Sequence, residues 1–176
     1  MHTPTYHLWL APSGETYGAL AAVIRNLARE LGAPVFEPHV TLMADLEGTE
    51  REHLRRTKAL AERLEPTRIG LTEPSYTDEF FRCLFMHVDP TPDVMRLRTL
   101  AAEVFECDPQ PFMAHLSLVY GSFASSLKQA AIRRLPSEVR TSFMVEALHL
   151  IRADSMAPHD WHEMARFAFT TKSGGR

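Results

Sequence analysis

The chain opens on alternation. Tyr6-His7-Leu8-Trp9-Leu10 reads as a strand, and Pro12 and Gly14 stop it. Tyr17, Leu20, Ala21, Ile24, Leu27, Ala28 and Leu31 then recur at helical spacing until Gly32 and Pro34 close the helix. Residues 37–43 form a short apolar segment, a strand starting near Pro38. Residues 49–64 predict a second helix, with Thr49 as its cap and Leu54, Leu60 and Leu64 facing inward. Residues 69–71 suggest another strand, and 72–78 a loop. The pattern then restarts. Residues 81–88 are rich in β-formers, and Pro92 opens a helix that buries Val94, Leu97, Ala101, Val104 and Phe105. Residues 113–120 resemble the 37–43 segment, a helix covers about 124–135, and one long strand is expected over 143–151. Last, residues 161–169 alternate, placing Trp161, Glu163, Ala165, Phe167 and Phe169 on one face.

Strand, helix, short strand, helix, strand therefore occurs twice, with no Ser/Gly-rich linker between the copies. Two lobes sharing one core fit this order, in an α/β or α+β sheet protein whose strand order stays open. Residues 1–171 are expected to act as one bilobal unit, with 172–176 a loose tail.

Two segments at matching places in the repeat carry the chemistry. Pro38-His39-Val40-Thr41-Leu42 and Ala114-His115-Leu116-Ser117-Leu118 both read His, aliphatic, hydroxyl, Leu. Strand alternation puts His39 and Thr41 on one face, ~6–7 Å apart, with Val40 and Leu42 on the other; His115 and Ser117 follow the same rule. If the halves pack about a pseudo-two-fold axis, two imidazoles and two hydroxyls converge. A phosphate ester suits them. One neutral imidazole takes a proton from attacking water, one imidazolium protonates the departing oxygen, and the hydroxyls bind the non-bridging oxygens. Histidine populates both protonation states near neutrality. A single His-x-Thr carries little weight; two copies in equivalent places carry much more.

Composition narrows the field. The 176 residues suffice for one cored domain, and 45% hydrophobic against 23% charged residues excludes disordered and fibrous classes. No apolar run approaches a membrane span, and the first residues lack a signal-peptide pattern. Cys83 and Cys107 cannot make a disulfide framework or a cysteine-based zinc site, so a reducing, cytoplasmic setting is expected. With 19 Lys+Arg facing 22 Asp+Glu, the net charge is -3 with histidine neutral. That balance disfavours an extended nucleic-acid footprint and leaves a small phosphorylated ligand open.

At these motifs the chain resembles the two-histidine phosphoesterases, most closely their cyclic phosphodiesterase branch. The resemblance also runs through Tyr6-His7-Leu8-Trp9, Phe80-Phe81-Arg82-Cys83, Thr91-Pro92-Asp93-Val94-Met95 and the extended His115–Tyr120 stretch. It implies an α+β, two-lobed, LigT-like fold with antiparallel sheets around a central cleft. It implies metal-independent, cofactor-free opening of nucleoside 2′,3′-cyclic phosphates to 2′-phosphates, or of ADP-ribose 1″,2″-cyclic phosphate to ADP-ribose 1″-phosphate. His39 and His115 would be the acid/base pair, and Thr41 and Ser117 would bind phosphate oxygens. Tyr120, Trp9 and Phe81 would line the pocket, although core packing also accounts for such aromatics. Ala114 departs from the proline common in close relatives. A monomer acting on a small cyclic-phosphate nucleotide is the resulting expectation.

Other readings are weaker. His159-Asp160-Trp161-His162-Glu163, with Asp154, invites a metal, but its two histidines fall on opposite strand faces and no His-Glu-x-x-His helix is present. No Gly-x-Ser-x-Gly elbow or phosphate-binding glycine loop occurs. His2, His7, His53, His87 and His149 lack patterned partners. An RNA-end 2′,3′-cyclic phosphodiesterase or 2′-5′ ligase, and a non-catalytic nucleotide binder, remain as alternatives.

Overall fold

The computed structural model describes residues 3–107 and 111–170. The tail expected over 172–176 lies outside them. The chain runs β1 (Thr5–Leu10), α1 (Gly14–Leu31), β2 (Val40–Leu46), α2 (Glu50–Ala61), β3 (Thr67–Tyr76), β4 (Leu84–Val88), α3 (Pro92–Phe105), β5 (His115–Val119), α4 (Ser125–Arg134), β6 (Ser142–Val145), β7 (Ala147–Ala153) and β8 (Trp161–Ala168). One eight-stranded antiparallel sheet takes the order β6-β3-β4-β5-β2-β1-β7-β8. This is the expected α+β architecture, two four-stranded lobes meeting at β2 and β5.

Local chemistry explains the elements. Gly32 at φ 67° ends α1 in the left-handed conformation, its N–H bonded to the Ala28 carbonyl. The Thr49 and Thr91 side chains accept the Glu52 and Val94 amides at the starts of α2 and α3. Leu8, Leu10, Val40, Leu42, Leu116, Leu118 and Met86 are almost wholly buried in the shared core, with Ile24 of α1 and Leu97 of α3. In β2 and β5 the apolar members of each motif thus bury one face, which turns the histidines and hydroxyls to the other.

Several expectations are corrected. The long strand expected over 143–151 is two strands: β6 pairs with β3 at one end of the sheet, whereas β7 pairs with β1 in the other lobe, so the chain changes lobes at Glu146. The loop expected over 72–78 is mostly strand, because β3 extends to Tyr76 to pair with β4. Consequently the closing strand of each half joins the lobe of the other half. Residues 37–39 and 81–83 lie outside the strands; Phe80–Arg82 is a 3-10 turn. Finally, Ile151 pairs with Glu163 and Leu150 with Ala165, so Met164 is a bulge. It puts Trp161 and Glu163 on the face of Ile151, opposite Ala165 and Phe167.

Candidate active site

The central strand pair sets the geometry. Val40 is the partner of Leu116 across β2 and β5. In that antiparallel register His39 stands opposite Ser117 and Thr41 opposite His115, all four on one face. The hydroxyls occupy one diagonal of this square and the imidazoles the other, a diagonal of about 7–8 Å between backbone positions. Two rings so placed can reach a phosphorus atom from different sides.

Each ring is held the same way. His39 Nδ1 lies 2.7 Å from the Glu37 carbonyl oxygen and His115 Nδ1 lies 3.0 Å from that of Met113, in both cases two residues upstream. A carbonyl only accepts, so Nδ1–H donates and the neutral rings keep the Nε2 lone pair free. Their surroundings differ. Trp9 stacks on His39 with centroids 3.6 Å apart and planes 7° from parallel, leaving His39 5% exposed. Phe85 meets His115 edge-on at 5.3 Å, and His115 is only half-buried. Burial pushes the His39 pKa down to about 3; it also lowers that of His115.

Ser117 is buried, and its hydroxyl donates to the Phe81 carbonyl at 2.8 Å; Thr41 is half-buried and pairs with Trp9 across β1 and β2. Tyr120, just past β5, stacks on Phe36 at 3.7 Å and meets Phe81 edge-on at 5.1 Å. Burial raises the pKa of its phenol, which therefore keeps its proton. The turn carrying Phe81 is tied down from below. The Lys128 ammonium, 1% exposed, donates to the Thr77 carbonyl at 2.8 Å and the Asp78 carboxylate at 2.7 Å, and the Gly121 amide donates to the Phe80 carbonyl.

A cavity of about 360 Å³ is lined by Trp9, Phe81 and Tyr120 together with His39, His7 and Trp161. Of the four motif residues only His39 lines it. Trp161 is the wall residue that pattern reading missed; its ring stands 5.8 Å from Trp9 and 5.9 Å from Phe81 and Tyr120. The Met164 bulge brings it there, and its only sequence signal was a tryptophan at the head of an alternating strand. His149 and Glu163, 2.6 Å apart, were likewise missed as a pair. The Asp154, His159, Asp160 and His162 cluster makes pairwise contacts only. Among the described residues no group of three or more His, Cys, Asp or Glu side chains is placed to hold a metal ion.

Sheet order, lobe exchange and the paired His-x-hydroxyl segments define the class as that of two-histidine phosphoesterases. Residues 5–159 match the family model described as cyclic phosphodiesterase-like protein, and the chain belongs to that family. A cyclic phosphodiesterase of Arabidopsis thaliana is 27% identical over 155 residues, covering 85% of this chain and 86% of that protein. Among solved structures, E. coli LigT complexed with 3′-AMP superposes with a TM-score of 0.67 at 13% identity, covering 97% of this chain and 100% of that one. TT0787 of Thermus thermophilus gives 0.67 at 18% identity, covering 94% and 97%. These two likenesses are of fold.

Proposed function

We propose that the protein hydrolyses nucleoside 2′,3′-cyclic phosphates to 2′-phosphates, working as a cytoplasmic monomer in which residues 1–171 form one catalytic unit. The observation that carries the reading is the square of His39, Thr41, His115 and Ser117 across β2 and β5, with both Nδ1 atoms bonded to backbone carbonyls so that both Nε2 atoms are free to work. The square is contributed by both lobes of a single chain. Cys83 and Cys107 are free thiols, which fits a reducing compartment. No helix among the described residues is long and apolar enough to cross a membrane.

In the proposed reaction His39, neutral because of its burial, takes a proton from water as the water oxygen bonds to phosphorus. The bond from phosphorus to O3′ breaks, and O3′ leaves with a proton from His115, whose greater exposure makes the imidazolium less costly. A second proton exchange with solvent resets the pair. Thr41 and Ser117 donate hydrogen bonds to the non-bridging oxygens, Ser117 turning its hydroxyl away from the Phe81 carbonyl, while Trp9, Phe81 and Tyr120 hold the sugar and base. ADP-ribose 1″,2″-cyclic phosphate presents the same ring to the same four groups.

The test is hydrolysis of adenosine 2′,3′-cyclic phosphate in excess EDTA with the product isomer identified. His39→Ala and His115→Ala should each lower kcat at least ~10²-fold. Full activity in either variant refutes the two-histidine reading.

A further inference from the structure

The two halves of the site are equivalent in backbone but not in what surrounds them. Leu10 pairs with Val40 in one half and Met86 with Leu116 in the other, so Trp9 corresponds to Phe85 and Ala11 to His87. Beside His115 the corresponding place is filled: His87 is its cross-strand partner and stacks edge-on against Phe85 at 5.1 Å. On the His39 side stands Ala11, a methyl group in place of an imidazole. There the sheet opens into a second cavity, about 700 Å³, whose lining includes Trp9, Trp161, His149, Glu163 and Arg166. Trp9 and Trp161 line both this cavity and the aromatic one, so they form the partition between the two.

Charge in this second cavity is arranged unevenly. Glu163 is held by His149 at 2.6 Å, and Glu37 is bonded by the Tyr17 hydroxyl. Arg166, exposed on β8, has no hydrogen bond, ion pair or ring contact among the described residues. The carboxylates are thus engaged while the guanidinium is free. Cross-strand partners connect it to the reacting centre in a single row: Arg166 with His149, His149 with Trp9, and Trp9 with Thr41. Three strand spacings separate Arg166 from Thr41, about 14 Å along the sheet, of which its own long side chain spans a part. A cyclic phosphate on the motif square leaves that interval for the rest of the nucleotide.

We propose that the cavity beyond Trp9 is a second subsite, which receives a phosphate group carried on the 5′ side of the cyclic-phosphate nucleotide, with Arg166 as its cation. A planar guanidinium with no carboxylate paired to it among the described residues, in a cavity whose own carboxylates Glu37 and Glu163 are bonded elsewhere, is suited to bidentate contact with such a group. The two tryptophans pass the sugar between the chambers, and Ala11 leaves it room. This deepens the proposed function and rests on it.

The experiment compares kcat/KM for adenosine 2′,3′-cyclic phosphate with that for the same nucleotide bearing a 5′-phosphate, in low salt. The wild-type protein should prefer the 5′-phosphorylated substrate by about tenfold or more, and Arg166→Gln should bring that ratio close to one, with Arg166→Lys between them. A ratio near one in the wild type, or a preference that survives in Arg166→Gln, overturns the subsite while leaving the cyclic phosphodiesterase intact. Hydrolysis of neither substrate by the wild type removes the proposed function and the subsite with it.

Discussion

His39 should make the protein's stability depend on pH in a way one substitution removes. An unfolded histidine titrates near pH 6.5, whereas stacking under Trp9 and 5% exposure push the folded value to about 3. Between those limits the unfolded chain binds a proton that the folded chain refuses. Stability from this group is therefore full above pH 6.5 and declines as pH falls, by about 1.4 kcal/mol per unit. At pH 5 the loss is about 2 kcal/mol, and near pH 3 it approaches about 5 kcal/mol. His7, His53 and His115 are also lowered, so the wild type alone cannot isolate the effect. Urea unfolding at pH 7.5 and pH 5 should be run on the wild type and on His39→Asn, whose amide does not titrate and whose nitrogen takes the place of Nδ1 toward the Glu37 carbonyl. The wild type should lose about 2 kcal/mol more than the variant on acidification, with unchanged m-values. Equal losses in the two proteins would mean that His39 is not held neutral, and its role as the base would go with that conclusion.

Two further outcomes follow from the same contacts. The general acid must be protonated to work, and burial lowers His115 in the free protein, so the alkaline limb of kcat/KM should fall below pH 6.5; the bound phosphate anion favours the imidazolium, so the alkaline limb of kcat should lie higher, and coincident limbs would contradict the assignment. Lys128→Met should cost about 1–3 kcal/mol in thermal or urea unfolding, chiefly through the Thr77 carbonyl it strands, because Asp78 faces water. In the same variant KM should rise more than kcat falls, since the turn presenting Phe81 loosens while the histidines stay in place.

The candidate site was legible because its residues lie at period-two positions in and beside β2 and β5. Val40, Leu42, Leu116 and Leu118 had to be buried, which committed His39, Thr41, His115 and Ser117 to the opposite face before any strand order was known. Lobe exchange was not legible. The stretch from Phe143 to Ile151 contains no glycine or proline, and its apolar residues suit one strand as well as two; the break at Glu146 is decided by which neighbours have unpaired edges, β3 for one part and β1 for the other. Trp161 escaped for a similar reason. Simple alternation groups it with Phe167, and only the bulge at Met164, a product of pairing with β7, turns it toward Trp9. Lys128 reads as an ordinary polar position of α4, and its burial depends on the turn at 77–82 folding over it.

What the motifs could not disclose is the difference between them, and the proposed reaction uses one. Two identical imidazoles in identical settings would share a pKa, and neither would be preferentially base or acid. The asymmetry enters from the flanking strands. Trp9 lies flat on His39 and covers one face of that ring; Phe85, at the equivalent place, touches His115 only with an edge. Ala11 opens one side of the cleft, and His87 closes the other with a further imidazole that disfavours charge on His115. In the proposed reaction the substrate anion offsets that penalty when it binds, which would link protonation of His115 to occupancy of the site. In the proposed reaction, residues outside the motifs thus decide which histidine is base and which is acid, and on which side the nucleotide extends.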